Sequence, residues 1–324
     1  MTFDKKQPRE RREWTPQERE EMAQKAQQRE QAAVSFRKKA SQDNGVRELG
    51  RRVDEILSTR ADGSQYAPRP RLNRKPKKNS HHTSNDSVTM RLNRYIAQSG
   101  VCSRRDADAL IEQGLVKVNG KIAKELGVQV DTGKDVVEYA GRKLVGEKKV
   151  YIIMNKPKGV VTTLEDPHHD RTVIDLLDGK IHQRVYPVGR LDRETTGVLL
   201  LTNDGELTNE LTHPSFKHKK IYHVFLDKPC VVADLETLAN GIELEDGPIH
   251  ADEISFVEGN KKEVGIEIHS GRNRIVRRMF EHLGYKVVKL DRVFFAGFTK
   301  MGLKKGFFRE LSPAEVSKLL SKKW

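Results

Sequence analysis

The chain has only two cysteines, Cys102 and Cys230, far apart and without a CxxC spacing, so neither a disulfide framework nor a cysteine zinc site is indicated. Eleven histidines are present without HExxH or any comparable ligand spacing; the pairs His81-His82 and His168-His169 read as loop residues, and no metal is expected. No apolar run reaches the roughly 18 residues that a membrane span needs. No basic-then-apolar leader with a cleavage site opens the chain, so a cytoplasmic location is expected, with no membrane partner. Phosphate-cradling loops are missing too. Without GxxxxGK[ST] or a glycine-rich adenosyl-methionine loop after a strand, helicases, aminoacyl-tRNA synthetases and methyltransferases are set aside.

What the chain does have is charge. Of its 324 residues 33% are charged, and the formal net charge is +14. That balance favours a polyanionic partner, nucleic acid first. Residues 1–89 hold 21 basic against 13 acidic side chains, or +8 of the excess, with few apolar residues. Such a segment cannot bury enough surface to offset the entropy of ordering, so it is expected to be a disordered basic tail and linker. Two stretches in it, Thr15 to Arg37 and Val46 to Leu57, have weak helical character. Its densest run, Arg69 to Lys78, carries six basic residues and no acidic one, which suits either RNA phosphates or a solvated linker.

From Met90 the pattern becomes that of a small folded module. Leu92, Tyr95 and Ile96 share a helical face ending at Gly100, and Ser103-Arg-Arg-Asp106 is a capping box for a second helix with Ala107, Leu110 and Ile111 inward. Leu115 to Ile122 reads as strand, Asn-Gly turn and strand, and Val136 to Tyr139 as one more strand. A larger unit opens at Val150, where an apolar strand runs into the Lys156-Pro157-Lys158-Gly159 turn and out again through Val160-Val-Thr-Thr163. Val185 to Val188, a charged loop and Val198 to Leu201 make a strand, loop and strand, followed by a helix over Glu206 to Thr212. Lys219 to Leu226 alternates as a strand with one core face, Val232 to Ala239 is helical, and Glu263 to His269 is a strand. Arg272, Arg274, Arg277 and Arg278 cluster at a helix start, where they would repel one another unless a phosphate or carboxylate sits nearby. Gly302, Gly306 and Phe307-Phe308 belong to a final strand pair, closed by a helix from Pro313, and are taken as structural.

On spacing alone, Arg190, Asp192, Arg193 and Glu194 are an ordinary surface ion-pair cluster worth little. The longer run G-R-L-D-R-E-T-T-G-V-L-L-L-T-N-D-G, however, resembles the signature loop of the ribosomal pseudouridine synthases. N-K-P-K-G, K-K-I-Y-H-V, G-R-N-R-I-V-R-R-M and E-H-L-G-Y-K-V-V-K-L-D-R resemble the same family's other motifs. Over Met90 to Leu144, S-R-R-D-A-D-A-L-I-E-Q-G-L-V-K-V-N-G resembles the S-four-like RNA-binding module. The resemblance implies an α+β fold, a mixed and largely antiparallel sheet domain at 150–324, preceded by the module at 90–145. It implies Asp192 as nucleophile, Arg277 as its basic partner, and Tyr222 and Leu290 against the target base. Lys156 lies near the cleft, as a substrate contact or as a structural turn cation, and Arg190 would fill the space left by a flipped base. Arg272 and Arg274 are expected at the substrate, and Arg104, Arg105, Lys117 and Lys121 at RNA phosphates. Ile275 stands where many relatives have Gln.

The implied reaction, uridine to pseudouridine in ribosomal RNA, has no redox change and loses no group, so no cofactor is expected. A monomer acting on free ribosomal RNA or a pre-ribosomal large-subunit particle is the expected form. Large-subunit RNA is favoured by S-R-R-D-A-D, G-I-E-L-E-D-G and E-H-L-G-Y-K-V-V-K-L; small-subunit or transfer RNA is the alternative, and a non-catalytic ribosome-assembly protein the remaining rival.

Overall fold

The computed structural model describes residues 88–166, 170–257 and 259–322. The readings of the tail, its basic run and the two histidine pairs lie outside the described residues. Two compact units are present: one takes in 88–222, His269–Asn273 and 289–322, the other His223–Ile268 and Arg274–Val288.

The first unit opens with β1 (Thr89–Arg91), α1 (Leu92–Gln98), α2 (Arg104–Glu112), β2 (Val116–Val118), β3 (Lys121–Ala123), β4 (Gln129–Asp131), β5 (Val137–Tyr139) and β6 (Arg142–Lys143). The capping box forms as expected. Ser103 Oγ accepts from the Asp106 N–H at 3.2 Å, and the Asp106 carboxylate accepts from the Ser103 N–H at 3.2 Å, satisfying two end groups of α2. Asn119 and Gly120 both have positive φ, 52° and 79°, as a two-residue turn matched to strand twist requires. Strands β3-β2-β5-β6 form an antiparallel sheet, and Leu92, Ile96, Ala107, Ile111, Val116 and Val137 make the core against it.

The chain continues with β7 (Tyr151–Lys156), β8 (Tyr186–Pro187), β9 (Thr195–Thr202), α3 (Gly205–Thr212), β10 (Lys220–Leu226), α4 (Val232–Asn240), β11 (Ile242–Leu244) and β12 (Gly247–Ile249). After these come β13 (Glu253–Val257), β14 (Asn260–Ile268), α5 (Ile275–His282), β15 (Val287–Phe295), β16 (Phe298–Thr299), β17 (Phe308–Glu310) and α6 (Pro313–Ser321). In the first unit β15, β9, β7 and β17 lie side by side, with β8 on β9 and β16 on β15. Among these pairs of described residues only β15–β9 is parallel. Every residue of β7 and β9 is buried, which is why both read as continuous apolar runs rather than alternating ones. One face packs Ile153, Val198 and Leu200 against Leu207 and Leu211 of α3 and Leu319 of α6. Asp204 caps α3, its carboxylate accepting from the Glu206 and Leu207 N–H groups.

Three expectations are corrected. Gly302, Gly306 and Phe307 lie between β16 and β17, which pair with β15 and β7 and not with each other. Val160 to Thr163 does not return as a strand; it makes a single parallel bridge, Val161 to Thr172, because its neighbours bond the Asp192 loop instead. In β10, Ile221, Tyr222, His223 and Val224 are buried in succession, so both faces are covered where one had been expected. The second unit holds the antiparallel pairs β11–β12 and β13–β14 with α4 and α5. Tyr285 ties it together, its hydroxyl donating to Asp234 at 2.5 Å and accepting from the Val231 N–H at 3.4 Å.

Candidate active site

The Gly189 to Glu194 loop between β8 and β9 is held from beneath by backbone and by one cation. Thr162 brackets Leu191, its hydroxyl donating to the Leu191 carbonyl at 2.8 Å and accepting from its N–H at 3.3 Å. The Gly159 N–H donates to the Arg193 carbonyl at 2.9 Å, and the Thr195 N–H to that of Asp192 at 3.0 Å. Lys156, the last residue of β7, is fully buried. Its Nζ lies 3.1 Å from the Asp192 carbonyl, 3.3 Å from that of Arg193, 2.9 Å from that of Thr195 and 3.1 Å from that of Pro157. Burial pulls this ammonium down to about 8, against the opposing pull of Asp192 and Glu194.

With no exposed surface and four carbonyl contacts, Lys156 anchors the loop. Of the loop charges, Arg193 pairs with Asp170 at 2.7 Å and Glu194 with Lys158 at 2.8 Å. Asp192 is half-buried and Arg190 exposed. The loop therefore presents Asp192 on a backbone fixed at four points, and its neighbours' charges are compensated.

Behind the loop, β9 and β15 run in parallel register, Leu290 against Thr195 and Arg292 against Gly197. Gly197 has φ +114°, and a Cβ there would stand 2.1 Å from the Arg292 carbonyl oxygen, so only glycine fits. Leu290 is buried beside the loop's end. Arg292, which sequence reading passed over, is buried with its Nε donating to the Val198 carbonyl at 2.9 Å and its guanidinium 4.4 Å from the Phe295 ring. Desolvation pulls its pKa down, and contact with the Tyr222 phenol opposes this. Tyr222 and Arg292 are thus neighbours, and both are enclosed. The buried Asp291–Lys300 ion pair was also missed. The available signal was three charged residues, Lys289, Asp291 and Arg292, within an otherwise apolar strand, Val287 to Phe295.

In the second unit Arg277 is buried on α5, its Nη1 donating to the Val287 carbonyl at 2.8 Å. Carboxylates expected around the arginine cluster are seen at Arg278 and Arg274. Arg278 makes a two-pronged pair with Asp246, both contacts 2.8 Å, and Arg274, exposed in a left-handed conformation, lies 3.8 Å from Glu281. Arg272 is half-buried. In the small module Arg104, Arg105, Lys117 and Lys121 are all exposed. Arg104 nevertheless faces the synthase part of its unit: a Cβ on Gly205 would stand 3.3 Å from its Nη2, and Arg94 beside it pairs with Glu206.

The chain as a whole resembles known proteins. Residues 150–282 match the family described as RNA pseudouridylate synthase, and residues 90–137 match the S4 domain. The chain is 44% identical to ribosomal large subunit pseudouridine synthase B of Bacillus subtilis, over 71% of this chain and 95% of that protein. It is 37% identical to dual-specificity RNA pseudouridine synthase RluF of Escherichia coli K12, over 70% of this chain and 77% of that one. A solved pseudouridylate synthase, 32% identical, superposes over 71% of this chain and 99% of its own with a TM-score of 0.51. The chain belongs to the RNA pseudouridine synthase family, an α+β enzyme with an S4 domain ahead of its synthase region.

Proposed function

We propose that the protein converts one uridine of large-subunit ribosomal RNA to pseudouridine, with Asp192 as the nucleophile. The observation that carries this reading is Asp192 itself, half-buried on a loop that Lys156 and Thr162 pin in place. Preorganisation of this kind lets a carboxylate meet a sugar carbon without first being ordered. The Asp192 carboxylate bonds to C1′ as the N1–C1′ bond breaks, and the uracil turns within the site. C5 then bonds to C1′, the carboxylate leaves, the C5 proton is lost and N1 gains a proton. Water must be kept out, since it would intercept the sugar.

Arg277 serves as the basic partner of Asp192, Tyr222 and Leu290 hold the uracil between them, and Arg190 enters the stack that the flipped nucleotide leaves. Arg272 and Arg274 steady the RNA around the target. Arg105, Lys117 and Lys121 meet phosphates, with Arg104 shared between phosphate and the Gly205 contact. In domain terms 1–89 is a tail, 90–145 the RNA-binding module and 150–324 the catalytic domain. The enzyme works as a cytoplasmic monomer, without a cofactor, on free ribosomal RNA or a pre-ribosomal particle. The name of the Bacillus subtilis relative supports the choice of large-subunit RNA.

The test is nucleotide-resolution pseudouridine mapping in cells lacking the gene, then supplied with wild type or Asp192→Asn. Loss of one large-subunit site, restored only by wild type, is expected. Loss at a small-subunit or transfer-RNA site would overturn the target, and full rescue by Asp192→Asn would overturn the nucleophile.

A further inference from the structure

Phe307 and Phe308 are adjacent at the start of β17 but have opposite surroundings. Phe308 is half-buried and pairs with Met154 of β7, whereas Phe307 is 61% exposed. The exposed ring is carried on a rigid mount. The Phe307 carbonyl accepts from the Asn155 N–H at 3.0 Å and its N–H donates to the Lys304 carbonyl at 3.1 Å, while the Gly306 N–H donates to the Asn155 carbonyl at 2.8 Å. The Asn155 side-chain amide adds a bond to the Leu303 carbonyl at 2.7 Å. Lys304 and Lys305, in the same loop, are exposed, and neither takes part in an ion pair among the described residues.

The mount is next to the catalytic loop's own anchor. Asn155 precedes Lys156, and a Cβ on Gly306 would stand 4.0 Å from Pro157, the turn residue whose carbonyl accepts from Lys156. Strands β9, β7 and β17 are successive neighbours about 4.8 Å apart, so β17 lies about 10 Å from the strand that Asp192 leads into, at the same end of the sheet.

We propose that Phe307, with Lys304 and Lys305, is a stacking platform for a nucleotide of the RNA strand flanking the target uridine. An exposed ring beside uncompensated cations is the pairing that binds single-stranded nucleic acid, the ring taking a base face and the lysines the backbone. Extruding a uridine leaves neighbouring bases without their stacking partner, and a fixed aromatic two strands from the one that Asp192 leads into can replace it. The two lysines favour phosphate over a protein surface as the occupant. The proposal rests on Asp192 marking the reaction centre, and its test is independent of that reading.

The experiment uses the full-length protein and a labelled 12-nucleotide oligouridylate, with affinity followed by anisotropy. Phe307→Ala should weaken binding about 5-fold or more, the low end of what one base–aromatic stack supplies. Phe307→Trp should retain affinity, and its added indole should be quenched by the oligonucleotide beyond the wild-type tryptophan signal. The double variant Lys304→Ala, Lys305→Ala should lower the slope of log affinity against log salt by about 1.4. Combining Phe307→Trp with Asp192→Asn should leave the quenching in place, so loss of the nucleophile and loss of the platform give different readouts. Wild-type affinity in Phe307→Ala together with an unquenched indole would overturn the platform. So would a Phe307→Ala defect in turnover confined to ribosomal particles and absent on protein-free RNA, which would mark a protein contact instead.

Discussion

Lys156 shows how one buried charge can hold a loop. A fully buried ammonium is costly, and here it is kept because three carbonyls of the Asp192 loop and one of its own turn surround it. Replacing it by Met removes the desolvation cost and orphans the carbonyls, so the two effects on stability oppose each other. The loop, however, loses its clamp. Lys156→Met should lower turnover about 100-fold, the effect of displacing a reacting group by about 1 Å, with RNA affinity unchanged in a filter-binding assay.

The same residue makes a pH prediction. Its folded pKa, about 8, lies below that of an unfolded lysine, so between about 8 and 10.5 the unfolded chain binds more protons and this group's contribution to stability rises with pH. Turnover should move the other way over that interval, since a neutral amine has fewer protons to share among four carbonyls. Chemical denaturation across pH 7 to 10 should show the rise in wild type and not in Lys156→Met. Gly197→Ala should cost about 3 kcal/mol or prevent folding, measurable by urea unfolding, because its Cβ would overlap the Arg292 backbone at 2.1 Å.

At the scale of elements, local devices were readable and tertiary ones were not. The Ser103–Asp106 capping box, the Asn119-Gly120 turn and the apolar runs of β7 and β9 depend on residues a few positions apart, and each forms where its spacing says. The missing strand after Gly159 and the enclosure of Lys156 depend on a loop more than thirty residues away, which no local period reports. The closing helix α6 provides an element-scale prediction. Glu315 is its capping partner, bonded to Ser312 and to both prongs of Arg309 at 2.8 Å, and these bonds hold its carboxyl down at about 2. A lowered carboxylate contributes stability above its unfolded pKa near 4.3 and loses it as pH falls toward 2. Glu315→Ala should therefore cost about 1 kcal/mol at pH 7 by thermal unfolding, and the difference from wild type should vanish near pH 2.

At the scale of the whole molecule, the net charge of +14 and the motif runs made the family legible. Asp192 and Arg190 lie on the loop between β8 and β9, and Leu290 lies on β15. What the sequence did not disclose is the support behind the motifs: Arg292 against Tyr222, Asp291 with Lys300, and Asp246 answering Arg278. Charged residues in a strand or helix read as surface until the fold shows what closes over them. The basic surface argues that salt dependence accompanies binding, through the exposed Arg105, Lys117 and Lys121. Replacing all three by Ala should weaken RNA binding uniformly across sequences and flatten its salt dependence by a slope of about 2 to 3.

Isomerisation of uridine by Asp192 would supply its own label, because joining C5 to C1′ expels the C5 hydrogen. The most direct measurement is tritium release from a protein-free large-subunit ribosomal RNA transcript made with 5-tritiated uridine, using purified wild type and Asp192→Asn. Release equivalent to one uridine per transcript is expected with wild type and none with Asp192→Asn, at unchanged RNA affinity. Release by Asp192→Asn at a rate near that of wild type would contradict Asp192 as the nucleophile.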